Sequence, residues 1–212
     1  MRRAALAALW AAPLLAHAGN VDVALRNPAG GPVADAAVVL EPHAGAGANA
    51  HARARPRAAI EQHGAEYQPW VSVVQTGTSV DFPNTDPFRH HVYSFSTPKR
   101  FEIKLYAGKP GQPVVFDKPG EVVIGCNIHD WMEAHVLVVD TPYFARTEAD
   151  GRAAVANVPA GRYRLRLWHP LQNGAPAPRE IDVGAGPLHL DLTLDARARE
   201  RKPHSDVDLD HY

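Results

Sequence analysis

The segment Tyr163-Arg164-Leu165-Arg166-Leu167-Trp168 alternates polar and apolar residues over most of its length, and a period of two commits it to a half-buried β-strand. The pattern recurs along the chain. "VDVALRNPAGGPVADAAVVLEP" (21–42) reads as strand, Pro-Gly-Gly turn and strand, and "REIDVGAGPLHLDLTL" (179–194) continues in the same way. Residues 148–151 (Glu-Ala-Asp-Gly) and 157–161 (Asn-Val-Pro-Ala-Gly) are turns between such runs. The 19 prolines and 16 glycines are too many for a helical chain of 212 residues and suit short strands joined by turns. An all-β fold is expected.

The first residues have a different purpose. Arg2 and Arg3 precede an apolar run over residues 4–15, and Ala16-His17-Ala18 supplies a small-x-small cleavage pattern. A signal peptide over residues 1–18 is expected, followed by export, with a bacterial periplasm as destination. The run is too short for a membrane span and holds Pro13, and no other stretch reaches spanning length. At about 100–200 residues per domain the remainder has room for one or two. The formal charge of −1 becomes −3 without the two arginines, which gives no argument for nucleic-acid binding.

Export makes the cysteine count informative. Cys126 is the chain's single cysteine, so no internal disulfide can form; a buried inert thiol, a free thiol, an intermolecular bridge or a metal ligand remain. Its neighbours favour the last. "GCNIHDWMEAH" (125–135) sets Cys126, His129 and Met132 at C-x2-H-x2-M spacing, between the strand-like runs 121–125 and 135–139. A thiolate, two imidazoles and a weak thioether form the ligand set of a blue-copper site. The loop supplies all but one imidazole. Zinc is the rival ion, but thioether is a poor zinc ligand and structural zinc sites usually carry more cysteine.

The missing histidine is available in "VDFPNTDPFRHHVYSFS" (80–96), where a turn over residues 83–87 leads into a strand opened by His90-His91-Val92. The stretch "YQPWVSVVQTGTSVDFPNTDPFRHHVYSF" (67–95), through Tyr67, Pro69, Gly77, Val80, Phe82, Asn84, Asp86, His90 and Val92, resembles the first half of plastocyanin-type cupredoxins. The Cys126 loop has the short spacing of amicyanin. The resemblance implies one copper ion held by His90, Cys126, His129 and Met132. The chain departs from the pattern twice. His91 stands where an asparagine usually braces the cysteine loop, so it either braces through a ring N–H or is itself the ligand beside His90. Ile128 stands where proline often precedes the histidine. Adjacent strand residues point to opposite faces, so only one of His90 and His91 faces the copper; His90 is taken.

Other candidates receive plainer readings. His135 is expected to pack or face solvent, and Glu133 is an oxygen-ligand alternative to Met132. Trp131 is read as packing over the site, and Asp81 and Asp86 as turn residues. His43, His51, His63, His204 and His211 are expected to be solvated, the last two flanking an acidic tail.

The outer segments resemble the carboxypeptidase regulatory-like, prealbumin-type β-sandwich. Gly31-Pro32-Val33, Ala36 and Val38 match its opening, and Thr147, Asp150-Gly151-Arg152 and Asn157-Val158-Pro159 its continuation. The expected organisation is a discontinuous sandwich over 19–45 plus 140–195, a linker over 46–59, a cupredoxin-like Greek-key sandwich over 60–139, and a charged disordered tail over 196–212. A rival arrangement gives 21–45 to the cupredoxin as extra strands. The combination is similar to exported cupredoxins that carry a methylamine-utilisation label, which is not read as a role. A one-electron carrier with an unidentified redox partner protein is expected, with copper delivery or storage, or a structural module, as alternatives. Such a carrier needs no substrate chemistry, so the chain is expected not to be an enzyme.

Overall fold

The structure, a computed structural model, describes residues 18–43 and 56–200. The expected signal peptide, most of the expected linker with His51, and the end of the tail with His204 and His211 lie outside the described residues. Among the described residues there are 17 strands and no helix, so the chain is all-β. They run β1 (Ala18–Arg26), β2 (Ala37–Pro42), β3 (Arg57–Ala59), β4 (Glu61–Gln62), β5 (Tyr67–Gln68) and β6 (Val71–Gln75). Next come β7 (Thr78–Asp81), β8 (His90–Ser94), β9 (Phe101–Tyr106), β10 (Val114–Phe116), β11 (Gly120–Gly125) and β12 (Glu133–Val139). The last are β13 (Phe144–Arg146), β14 (Arg152–Pro159), β15 (Gly161–Trp168), β16 (Arg179–Val183) and β17 (Leu188–Thr193).

The sheets divide by sequence in an unusual way. β1 lies between β14 and β17, antiparallel to the first and parallel to the second, and β2 lies between β13 and β15. The first two strands therefore share their sheets with the last five, β16 joining through β15. Alternation explains their shared core: Val21, Val23 and Leu25 of β1 point inward with Val38 and Leu40 of β2, against Val155, Tyr163, Leu165 and Ile181. The chain between them forms a five-stranded sheet ordered β6-β12-β11-β8-β9, a three-stranded sheet β10-β7-β3 and the small pair β4-β5. Phe82, Phe116, Val122, Ile124, Val136 and Cys126 belong to this second core.

β2 and β12 each bury both faces. Val38 and Leu40 enter the first core, while Ala37 and Val39 turn the other way onto Leu137 and Val139 of β12. Thr141, just after β12, is tied in by its hydroxyl donating to the Leu40 carbonyl at 2.7 Å. An apolar seam thus joins the two sets of sheets.

Two boundaries differ from the expectation. Residues 57–59, placed in the linker, form β3 and pair in parallel with β7, because the β7 edge offers free backbone groups there. Ala196 and Arg199, placed in a disordered tail, pack instead. Ala196 is buried beside the first core, and the Arg199 guanidinium lies 5.1 Å from the Trp70 ring centroid, within 3.8 Å of the Glu66 carboxylate. Charge composition did not reveal these partners because they lie far away in sequence.

Candidate metal centre

β8 and the loop after β11 bring the site together. Along β8 the side chains alternate, so His90, Val92 and Ser94 point into the core and His91 and Tyr93 point away. β11 ends at Gly125, and Cys126 starts a tight loop to β12. The loop is closed by the Cys126 amide donating to the Met132 carbonyl at 3.3 Å and the Met132 amide donating to the His129 carbonyl at 3.0 Å. This turn folds His129 back over Cys126.

The result is one cluster of three donor atoms. Cys126 Sγ lies 3.9 Å from Nδ1 of His90 and 3.9 Å from Nδ1 of His129, and one ligand atom from each residue lies within 4.8 Å of the others. All three residues are buried. A first-row metal takes thiolate at about 2.3 Å and imidazole at about 2.0 Å. With those bonds about 120° apart, sulfur and nitrogen would sit about 3.7 Å from each other. The spacing therefore fits a shared ion. Met132 is buried in the same core as Cys126.

Each imidazole is held from behind. His90 Nε2 is 2.7 Å from Oδ2 of Asp86, a carboxylate only 5% exposed that also accepts from the Gly64 and Ala65 amides at 2.6 and 3.0 Å. The Trp131 ring stands 5.1 Å from that of His129, and its indole N–H donates to the Ala65 carbonyl at 3.1 Å. Phe88 covers both imidazoles, at 5.0 Å from His90 and 5.7 Å from His129. Fully buried Tyr67 links the two ligand-bearing segments, its hydroxyl pointing at the carbonyls of His91 (3.0 Å) and Gly125 (3.1 Å).

These contacts set the charge state. Burial pushes the Cys126 thiol up, but hydrogen bonding from His90 and the backbone amides of 91, 128 and 129 outweighs it and holds the thiol below its ordinary value. Burial pushes His90 down, yet Cys126 and Asp86 together hold it above the usual imidazole value. Burial would raise Asp86; the Ala65 and Gly64 amides and His90 hold it low. The cluster is poised to present a thiolate.

The remaining candidates lie elsewhere. His91 is not in the cluster: its Nε2 is 3.0 Å from Glu102 of β9, so it does not brace the cysteine loop through its ring, and Tyr67 ties that loop instead. Glu133 pairs with His135 at 2.9 Å, and half-exposed Glu121 approaches the other ring nitrogen at 3.3 Å. His135 itself is buried edge-on against Trp70. His43 pairs with Glu180 and His63 with Thr85, both at exposed positions. Asp81 faces Arg57 and Lys109. Asp86 is more than the turn residue expected, since its carboxylate reaches His90; its place four residues before a candidate ligand was the available signal. Tyr67 was marked only as part of the matched pattern, and Phe88 had no comparable local signal.

No family model matches the chain, and no curated protein matches it. Among solved structures it is similar to a Cu-containing nitrite reductase from Thermus scotoductus SA-01, at 27% identity over 40% of this chain and 22% of that one, with a TM-score of 0.37. The chain thus spans about a fifth of that enzyme's length. It is similar to a purple cupredoxin from Nitrosopumilus maritimus, at 22% identity over 39% of this chain and 99% of that one, with a TM-score of 0.35. An oxidised amicyanin variant is 17% identical over 48% of this chain and 98% of its own, with a TM-score of 0.37. The expectation that the chain is not an enzyme is corrected: a copper enzyme stands among the structures it resembles, so the exclusion of catalysis is withdrawn.

Proposed function

We propose that the chain is an exported blue-copper protein that passes single electrons in the periplasm. The convergence of Cys126 Sγ with Nδ1 of His90 and His129 in a buried site carries the reading. His90, Cys126 and His129 would hold the ion, and Met132, buried in the same core, would supply a thioether to it. Thiolate and thioether together favour copper over zinc. Copper when bound supplies a one-electron couple between its two oxidation states.

The chain's own residues make that couple useful. The Phe88 and Trp131 rings crowd the imidazoles and exclude water. Tyr67 and the closed 126–132 loop fix the donors before metal arrives, which limits rearrangement when the charge changes. Burial of all three donors favours a retained ion over one handed on for delivery or storage. The redox partner is proposed to be another protein that docks near the ligand loop.

Titration of the purified mature protein with Cu(II), followed by visible absorption, tests the reading. An intense thiolate-to-copper band saturating at one equivalent is expected; its absence with a reduced thiol refutes the assignment. Export is checked at the N-terminus of the mature protein, where Gly19 is expected and retention of Met1 counts against it. We also propose a discontinuous domain over 19–45 plus 140–195, with the 60–139 unit inserted. Expression of residues 56–140 alone should give a folded copper-binding piece, and an unfolded piece refutes an independent insert.

A further inference from the structure

We propose that Asp86 is a positioning residue whose buried negative charge fixes the His90 ring and lowers the reduction potential of the centre. This rests on the copper reading above.

His90 presents Nδ1 to Cys126 and Nε2 to the Asp86 carboxylate, at 3.9 and 2.7 Å. Placing the ring proton on Nε2 leaves Nδ1 bare for a metal, so the Asp86 contact chooses the tautomer. A backbone carbonyl would serve that purpose without charge. A carboxylate adds a full negative charge, which makes the imidazole a stronger donor. At 5% exposure this charge is poorly screened by solvent. A stronger donor and a nearby anion both favour the more positive oxidation state.

The chain holds Asp86 in this place at some cost. Gly64 and Ala65 are consecutive left-handed residues, at φ of 61° and 50°, and both aim their amides at the carboxylate. Successive amides of this kind form an anion-binding nest. A non-glycine residue in that region is uncommon, and such a conformation persists where its surroundings require it. The Ala65 carbonyl then receives the Trp131 indole, whose ring lies against His129. One short turn therefore braces both imidazoles, the first through a charge and the second through a ring. The backbone of Asp86 is held separately, its amide donating to Asn84 Oδ1 at 3.0 Å.

The test compares wild type with Asp86→Asn, which keeps the shape and one oxygen acceptor but removes the charge. Loss of such a partner typically weakens a metal site 10–100-fold. Because the amide keeps an acceptor, a loss of about tenfold in Cu(II) over Cu(I) preference is expected, equivalent to a rise of about 59 mV in a one-electron potential. Redox titration should show this rise with the blue band retained. An unchanged potential with the band retained overturns the proposal. Should Asp86→Asn fail to fold, the nitrogen-resolved NMR spectrum of wild-type protein decides. A slowly exchanging Nε2–H on His90, in both the copper-free and Cu(I) forms, is expected, and free exchange of that proton overturns the proposal. If wild type itself shows no blue band, the copper reading fails and the tuning role fails with it. That outcome differs from a band present in both proteins at one potential.

Discussion

Tyr67→Phe asks whether a single hydroxyl couples the two segments that carry the metal donors. The Tyr67 ring is fully buried, and phenylalanine keeps its volume, so no cavity contribution arises. Burial pushes the phenol far above its ordinary range, so the O–H stays protonated and is a donor at every working pH. That proton serves the carbonyls of His91 and Gly125, at 3.0 and 3.1 Å. Shared by two acceptors, it counts as about one hydrogen bond, worth about 1 kcal/mol. A buried acceptor left without a donor adds about 1–3 kcal/mol. The addition should fall at the low end, because Gly125 also pairs with the flanking strands opposite Glu133 and Tyr93. The expected loss is about 2 kcal/mol, or about 4–8 °C in Tm at about 2–4 °C per kcal/mol for a chain of this size. Thermal melts of the copper-free proteins, followed by circular dichroism, measure it. A Tm within about 1 °C of wild type refutes the coupling, since even one lost bond should exceed that shift.

Three further outcomes follow from other parts of the fold. Titration of the copper-free protein, followed by ultraviolet thiolate absorbance, should show Cys126 ionising below its ordinary value. The unfolded chain then holds the proton to higher pH, so this stability is present above the unfolded thiol's pKa and lost as pH falls through the folded value. Cys126→Ser should flatten that part of the pH–stability curve, and an unchanged curve counts against a thiolate. Leu137→Ala opens the seam where Leu137 is 4% exposed, and should cost about 2–5 kcal/mol in denaturant unfolding; a loss near zero means the seam is not closed in solution. Gly151→Ala places a Cβ 2.4 Å from the Leu25 carbonyl oxygen at a φ of 78°. It should destabilise by at least about 1–2 kcal/mol while the copper band stays in place, because its strands are remote from the donors in the sheets. A shifted band would show coupling across the seam.

The strands were legible because their signal is local. Alternation in residues 163–168 and 21–25 marks a buried face without knowledge of the partner, and both runs form strands that bury that face. The same rule separates His90 from His91, since neighbours on β8 must point apart. Spacing made the Cys126 loop visible for a similar reason. Donors three residues apart can meet only if the chain turns, and the turn is closed by bonds within the loop itself.

What sequence hid depends on distant partners. Asp86 reads as a turn residue whose place four residues before His90 was its one local trace, and the amides that hold it come from distant residues 64 and 65. The tail past residue 195 is charged throughout, yet Arg199 finds Trp70 and Glu66 more than a hundred residues earlier. The seam did leave a trace. Val38-Val39-Leu40 and Val136-Leu137-Val138-Val139 are unbroken apolar runs, whereas a strand with one wet face alternates. Read that way, each run requires cover on both sides. One core can supply only one of them, so the second must come from the other set of sheets, as the packing of Ala37 and Val39 on Leu137 and Val139 supplies it. The strand that leaves the candidate metal loop is thereby clamped on both faces, Val136 and Val138 in its own core and Leu137 and Val139 against β2.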